Sequence, residues 1–150
     1  MCIRDSLRTF AGHALGAAIT GCAFAVDGVR LVTSSSDSTA MVWCLKKGEL
    51  LRAYAGHDGP VTGCDVSPGN RVVTSGADGT VRVWDAGRQV LQNTLRGHDG
   101  NGRVTSAAFS PDGRRVLTCG SDGVGVVWEA HHGRKLATLE GHSDLSLIHI

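Results

Sequence analysis

The chain has 150 residues, a net charge of +1, 21 glycines and 3 prolines, and 41% of it is hydrophobic. That length suits one ordinary domain or a piece of a larger one, and the near-zero charge excludes the broad basic field that draws a protein to nucleic acid or anionic lipid. No run of 18 apolar residues is present, which excludes a membrane-spanning helix, and Met1–Ser6 is too short and polar for a secretory signal. Much glycine with little proline fits many short strands joined by tight turns. Five cysteines (Cys2, Cys22, Cys44, Cys64 and Cys119) lie far apart without a Cys-x-x-Cys pair. They read as small buried hydrophobes of a reducing compartment, so the expected location is intracellular and cytoplasmic.

In chain order the signals repeat. Gly-His pairs fall at Gly12-His13, Gly56-His57, Gly97-His98 and Gly141-His142, with histidine spacings of 44, 41 and 44. After each of the first three comes a loop, then a predicted strand from Ile19-Thr20, Val61-Thr62 or Val104-Thr105, reaching an apolar anchor at Phe24, Val66 or Phe109. A turn follows, through Asp27-Gly28, Pro68-Gly69 or Pro111-Asp112-Gly113. A β-branched second strand opens at Arg30, Arg71 or Arg115 and leads to a turn at Asp37, Asp78 or Asp122. The third strand then alternates toward Trp43, Trp84 or Trp128. Arg to Asp is seven residues and Asp to Trp is six in all three copies. Fourth strands are predicted over Glu49–Tyr54, Gln89–Leu95 and Arg134–Leu139, and Leu7–Phe10 matches the end of such a strand from a preceding copy. Each copy is thus one supersecondary unit of four short strands. A lone sheet of this size cannot bury its two apolar faces, but sheets stacked around an axis can, which is the β-propeller solution.

The string Val-Thr-x-x-x-Phe-Ser-Pro-Asp-Gly after Gly-His, followed by Thr-Ser-Gly-x-Asp-Gly-Thr-Val-x-Val-Trp-Asp, resembles the WD-repeat (β-transducin repeat) family over roughly residues 7–142. The resemblance implies an all-β fold: a partial propeller of three four-stranded antiparallel blades, about 19–54, 61–95 and 104–139, plus the outer strand of a preceding blade. It further implies a buried hydrogen-bonded tetrad in each copy. The matching residues are His13, Thr33, Asp37 and Trp43; His57, Thr74, Asp78 and Trp84; and His98, Thr118, Asp122 and Trp128. Indole, hydroxyl, imidazole and carboxylate can close a chain of donors and acceptors, which would make the tetrad a lock on blade geometry.

The tails depart from the pattern. Ser146 stands where Val or Ile is expected, and Met1–Ser6 and Leu145–Ile150 resemble adapter-derived sequence translated at the edges of assembled reads. Residues 1–6 and 143–150 are therefore expected to lie outside the fold. Cys44 and Glu129 replace the Asp that follows Trp, so only Trp84-Asp85 is a true Trp-Asp.

His, Asp and a hydroxyl also suggest a catalytic triad, but an enzyme needs one site and the set recurs in every copy. No catalytic residue, metal site or cofactor is expected. The four Gly-His histidines fall on different blades, and the adjacent His131-His132 lies in a turn. Nothing matches a phosphate-binding Gly-x-x-x-x-Gly-Lys-Ser/Thr loop. The Trp-Asp-x-Arg/Lys form of a ubiquitin-ligase substrate receptor is not met, since only Lys46 fits and its copy lacks the Asp.

The expected function is a non-catalytic protein-interaction scaffold, a fragment of a longer propeller whose remaining blades are its nearest partners. Other partners are proteins or peptides, not nucleic acid or membrane. The alternative is the C-terminal sensor propeller of a signalling enzyme or NTPase. Candidate contacts are the residues before each tetrad Asp, namely Ser36, Ala77 and Ser121, together with Arg103 in the loop after the third Gly-His. The aligned Arg30, Arg71 and Arg115 are expected to be solvated or paired within their own blades.

Overall fold

The computed structural model describes residues 9–98 and 102–140. The β-branched runs and glycine turns form twelve strands, with no helix among the described residues. They are β1 (Ile19–Phe24), β2 (Arg30–Ser35), β3 (Thr39–Cys44), β4 (Glu49–Ala55), β5 (Val61–Val66), β6 (Arg71–Gly76), β7 (Val81–Asp85), β8 (Val90–Leu95), β9 (Val104–Phe109), β10 (Arg115–Gly120), β11 (Gly125–Glu129) and β12 (Lys135–Leu139). Consecutive strands pair antiparallel into three four-stranded sheets, β1–β4, β5–β8 and β9–β12. The fold is all-β, three blades of a partial propeller.

Strand ends differ from expectation by about a residue, for local reasons. The third strand of the middle blade begins at Val81 because Gly79 holds the turn with a φ of 80°. The last begins at Val90 because Gln89, with a φ of 61°, still belongs to the preceding turn. Of the strand expected over 7–10, Leu7 and Arg8 lie outside the described residues and Thr9 and Phe10 carry no strand pairing. Phe10 instead packs its ring on Trp43 at 5.6 Å. The proposed tails at 1–6 and 143–150, and the fourth Gly-His pair, also lie outside the described residues.

Period-2 alternation gives each sheet two apolar faces, and stacking buries them. Val32, Val42 and Tyr54 of the first blade pack on Val66, Val72 and Trp84 of the second. Val73, Val83 and Leu95 of the second pack on Phe109, Val116 and Trp128 of the third. The inner strands β1, β5 and β9 lie side by side in that order. Polar clasps cross the same junctions. The Thr20 hydroxyl donates to the Val61 carbonyl at 2.6 Å, and the Thr62 hydroxyl donates to the Val104 carbonyl at 2.6 Å. On the opposite rim, Arg30 donates to Asn70 and Arg71 donates to His131 Nδ1 at 3.0 Å. This corrects the expected pairing within blades. Arg30 does bind Asp27 in its own turn at 2.7 Å, but both arginines also reach the next blade. Arg115 is exposed.

The cysteines also differ from expectation. Cys22 is exposed and Cys44, Cys64 and Cys119 are half-buried, all four as free thiols. Cys22 is open because it sits on β1, the inner strand of the first blade. Burial between blades pushes the Cys64 thiol up to about 12, so it stays protonated and unreactive at neutral pH. Cys2 lies outside the described residues.

Candidate functional site

Each blade brings a His, an Asp, a Thr and a Trp together at one end of the sheet. The Thr lies mid-strand in β2, β6 or β10, and the Trp lies one strand over, in β3, β7 or β11. The Asp sits in the turn between them, and the His arrives from the loop before β1, β5 or β9. In the middle blade the Trp84 indole donates to Thr74 Oγ1 at 3.0 Å, and His57 Nε2 meets the same hydroxyl at 2.8 Å. His57 Nδ1 meets the Asp78 carboxylate at 3.1 Å. The first blade repeats this with Trp43 to Thr33 at 2.8 Å, His13 to Thr33 at 2.8 Å and His13 to Asp37 at 2.9 Å. In the third, Trp128 reaches Thr118 at 3.0 Å, His98 reaches Thr118 at 2.8 Å, and His98 reaches Asp122 at 3.0 Å.

The donor order follows from the chemistry. The indole can only donate, so the Thr oxygen accepts from it and its own proton goes to His Nε2. The imidazole therefore carries its proton on Nδ1, facing the carboxylate. Burial lowers the His57 pKa, against the pull of Asp78, so the ring is neutral at pH 7. A neutral ring whose two nitrogens are both committed is a structural bridge and not a waiting base.

The carboxylates are the most heavily bonded groups. Burial pushes Asp78 up, but the amides of Asp58 and Thr80, the Thr80 hydroxyl and His57 outweigh it and hold the group at about 2. In the first blade, burial of Asp37 is likewise outweighed by the Thr39 hydroxyl, the Ala14 amide and His13, again giving about 2. Thr39 and Thr80 are members of the cluster that sequence reasoning missed. Their hydroxyls donate to Asp37 Oδ1 at 2.5 Å and Asp78 Oδ1 at 2.8 Å. The signal was present as Asp-x-Thr in two copies. The third has Val124 at that place, so Asp122 has no such hydroxyl.

The four candidate contact residues lie on the rim beside these clusters. The amide of Ser36 donates to the Ala18 carbonyl, that of Ala77 to the Pro60 carbonyl and that of Ser121 to the Arg103 carbonyl, each within 2.8–2.9 Å. Ser36 Oγ accepts from the Ala18 amide at 2.8 Å, and Ser121 Oγ accepts from the Arg103 amide at 3.1 Å. Both hydroxyls thus hold the end of the longer loops in place. Ala77 has no hydroxyl, and its loop is the shorter one. The Arg103 side chain is exposed, and Leu15, at the tip of the first loop, is fully exposed. Among the described residues, no cluster of three or more His, Cys, Asp or Glu is placed to hold a metal ion, and no helix is long and apolar enough to cross a membrane.

The family model described as "WD domain, G-beta repeat" matches three times, at residues 4–44, 48–85 and 89–129. The chain belongs to the WD-repeat family. Each matched repeat ends just after its Trp, at 44, 85 or 129, whereas the blades run one strand further. A WD repeat therefore spans the last strand of one blade and three strands of the next, and the Gly-His loop ties the two together.

Among similar proteins, the chain is 38% identical over 56 residues to cilia- and flagella-associated protein 52 of Bos taurus, covering 37% of this chain and 9% of that protein. It is 32% identical over 50 residues to guanine nucleotide-binding protein subunit beta-5b of Danio rerio, covering 33% of this chain and 13% of that one. The Homo sapiens cilia- and flagella-associated protein 52 is 36% identical over 56 residues, covering 37% of this chain and 9% of that protein. The chain thus aligns with only 9% to 13% of these relatives' length. WD repeats imply a protein-interaction scaffold.

Proposed function

We propose that this chain is an arc of a longer propeller that works as a non-catalytic scaffold, binding proteins or peptides through its Gly-His loop rim inside the cell. The observation that carries the reading is the threefold cluster. Each blade spends its His, Asp and Thr on one another and on Trp, leaving no free base or nucleophile there. The product of that bonding is a fixed rim. Each tetrad anchors a Gly-His loop at one end, and the Ser36 and Ser121 hydroxyls fix the other end.

On that rim Leu15 and Arg103 are the exposed long side chains of the two longer loops, and Ser36, Ala77 and Ser121 line the ground between loop and turn. Arg is enriched among the anchors of interfaces and Leu is not, so Arg103 is the contact expected to matter more of the two. The tetrads, in this reading, hold the rim and do not touch the partner. Blades flanking this arc are its first partners, and the wider protein's partners are peptides or domains.

The test is a peptide-display selection against the chain, with binders then measured on two variants. Leu15→Ser with Arg103→Ala alters the loop rim, and Arg30→Ala with Arg115→Ala alters the opposite rim. The expected result is a loss of about tenfold or more for the loop variant, about 1.4 kcal/mol, with the opposite-rim variant unchanged. Binders that respond only to the opposite-rim variant would overturn the assignment.

A further inference from the structure

We infer that the third blade carries a pocket for an arginine side chain of a partner peptide, at the place where the second blade seats its own Arg82. The pocket shares no residue with the loop contacts proposed above.

The repeat supplies the template. Met41, Arg82 and Val126 hold one position, two residues before the tetrad Trp and paired across the sheet with the tetrad Thr. In the first two blades that side chain runs out to the glycine of the Gly-His pair. A Cβ on Gly12 would lie 3.4 Å from Met41 Sδ, and one on Gly56 would lie 3.4 Å from Arg82 Cζ. Val126 is too short for that reach. At Gly97 the three nearest atoms all belong to Trp128, with Cζ2 at 2.8 Å from the Cβ position. The Trp128 ring thus takes the inner part of the space, and the outer part stays open. It is a cavity of about 220 Å³ lined by Gly97, Asp122, Val124, Lys135, Thr138 and Glu140. Val126, Trp128 and Thr138 share the face turned to the second blade, so the cavity belongs to a junction made within the chain.

Size and charge select the ligand. Pockets for drug-sized molecules run to about 300–1,000 Å³, so this one suits a single side chain. Asp122 and Glu140 against Lys135 leave one net negative charge, which one cation neutralises. Glu140 stands just before a Gly-His pair, where the second repeat has Arg96, so the rim that lacks its own guanidinium is the more acidic one. Asp122 is also the tetrad carboxylate open to another donor. Val124 stands where Thr39 and Thr80 give their hydroxyls, and Asp122 is 18% exposed against 10% for Asp37 and 9% for Asp78. A guanidinium presents five N–H donors in a planar fork, enough for both carboxylates and the Thr138 hydroxyl. Lys135 is exposed and free to turn to solvent.

The test is a titration of acetyl-Gly-Arg-Gly-amide into the 150-residue chain at low salt, followed by nitrogen-15 NMR. The Gly97 and Glu140 amides should shift saturably, with a Kd on the order of 1 mM. The citrulline peptide, which keeps the shape and loses the charge, should bind about tenfold more weakly or not at all. Glu140→Gln, at an exposed position, should weaken binding about three- to fivefold. Val126→Arg should abolish it, by filling the cavity as Arg82 fills its counterpart. Leu15→Ser with Arg103→Ala should bind the peptide as the wild type does, which separates this pocket from the loop contacts. An arginine peptide that leaves Gly97 unshifted would overturn the inference. So would a citrulline peptide that binds as well, or Glu140→Gln with unchanged affinity, and that variant decides the matter should Val126→Arg fail to fold.

Discussion

Asp78→Ala separates a structural lock from a surface ornament. Four hydrogen bonds end on that carboxylate: from His57 Nδ1 at 3.1 Å, the Asp58 amide at 3.0 Å, the Thr80 amide at 3.0 Å and the Thr80 hydroxyl at 2.8 Å. The Asp58 amide lies at the surface and can turn to water. His57 Nδ1–H cannot, because its side chain is only 2% exposed and its one remaining neighbour is Thr80 Oγ1 at 3.3 Å. Stranding a buried donor costs about 1–3 kcal/mol, and losing bonds to a charged acceptor adds to it, so the variant should lose about 2–4 kcal/mol. Asp122→Ala provides a comparison. That carboxylate is 18% exposed and faces Val124 in place of a threonine, but its loss strands His98, only 1% exposed, in the same way, so it too should cost about 1–3 kcal/mol. Urea unfolding followed by tryptophan fluorescence and circular dichroism, with a constant slope in denaturant as the control for two-state behaviour, reads both. A loss below about 0.5 kcal/mol at Asp78 would refute the reasoning.

Other outcomes follow from the same contacts. Asp37 and Asp78 are held at about 2, below the ordinary 3.8. A carboxylate with a depressed folded-state pKa stabilises fully above its unfolded value and loses that contribution as pH falls through the folded one. The urea midpoint should therefore drop between about pH 4 and pH 2, and less steeply in Asp78→Asn. Val124→Thr should give Asp122 the hydroxyl its counterparts have and stabilise the chain by about 0.5–1 kcal/mol, read as a higher urea midpoint. Gly76→Ala should cost about 2 kcal/mol or more, because a Cβ there would run into the His57 ring and the Asp78 carboxylate. Among the described residues the buried Tyr54 hydroxyl has no partner, so Tyr54→Phe should be neutral or stabilising by up to about 1 kcal/mol.

Most of the fold was legible because it is written three times. The stretch Arg71–Asp85 taken alone is a hairpin with one acidic turn. Only the equal spacings at Arg30, Asp37 and Trp43 and at Arg115, Asp122 and Trp128 make it one unit of a ring. What escaped the sequence depends on the neighbouring blade. Arg30 and Arg71 read as solvated or paired within their own blades because nothing local shows that the next blade's turn comes within reach. Thr20 and Thr62 read as ordinary strand residues, since their carbonyl partners lie about 40 residues away, at Val61 and Val104. Cys22 read as a small buried hydrophobe like the other cysteines, yet it is exposed, on an inner strand with no blade packed before it among the described residues. Thr39 and Thr80 are marked by Asp-x-Thr, but the valine at 124 breaks the threefold repetition of that signal.

The tetrads are closed hydrogen-bonded locks in each of the three blades. Nitrogen-15 NMR of the histidine rings and tryptophan indoles measures that directly. His13, His57 and His98 should each carry the proton on Nδ1, and the indole N–H groups of Trp43, Trp84 and Trp128 should exchange slowly with solvent. Imidazoles protonated on Nε2, or indoles that exchange as fast as a free side chain, would contradict it.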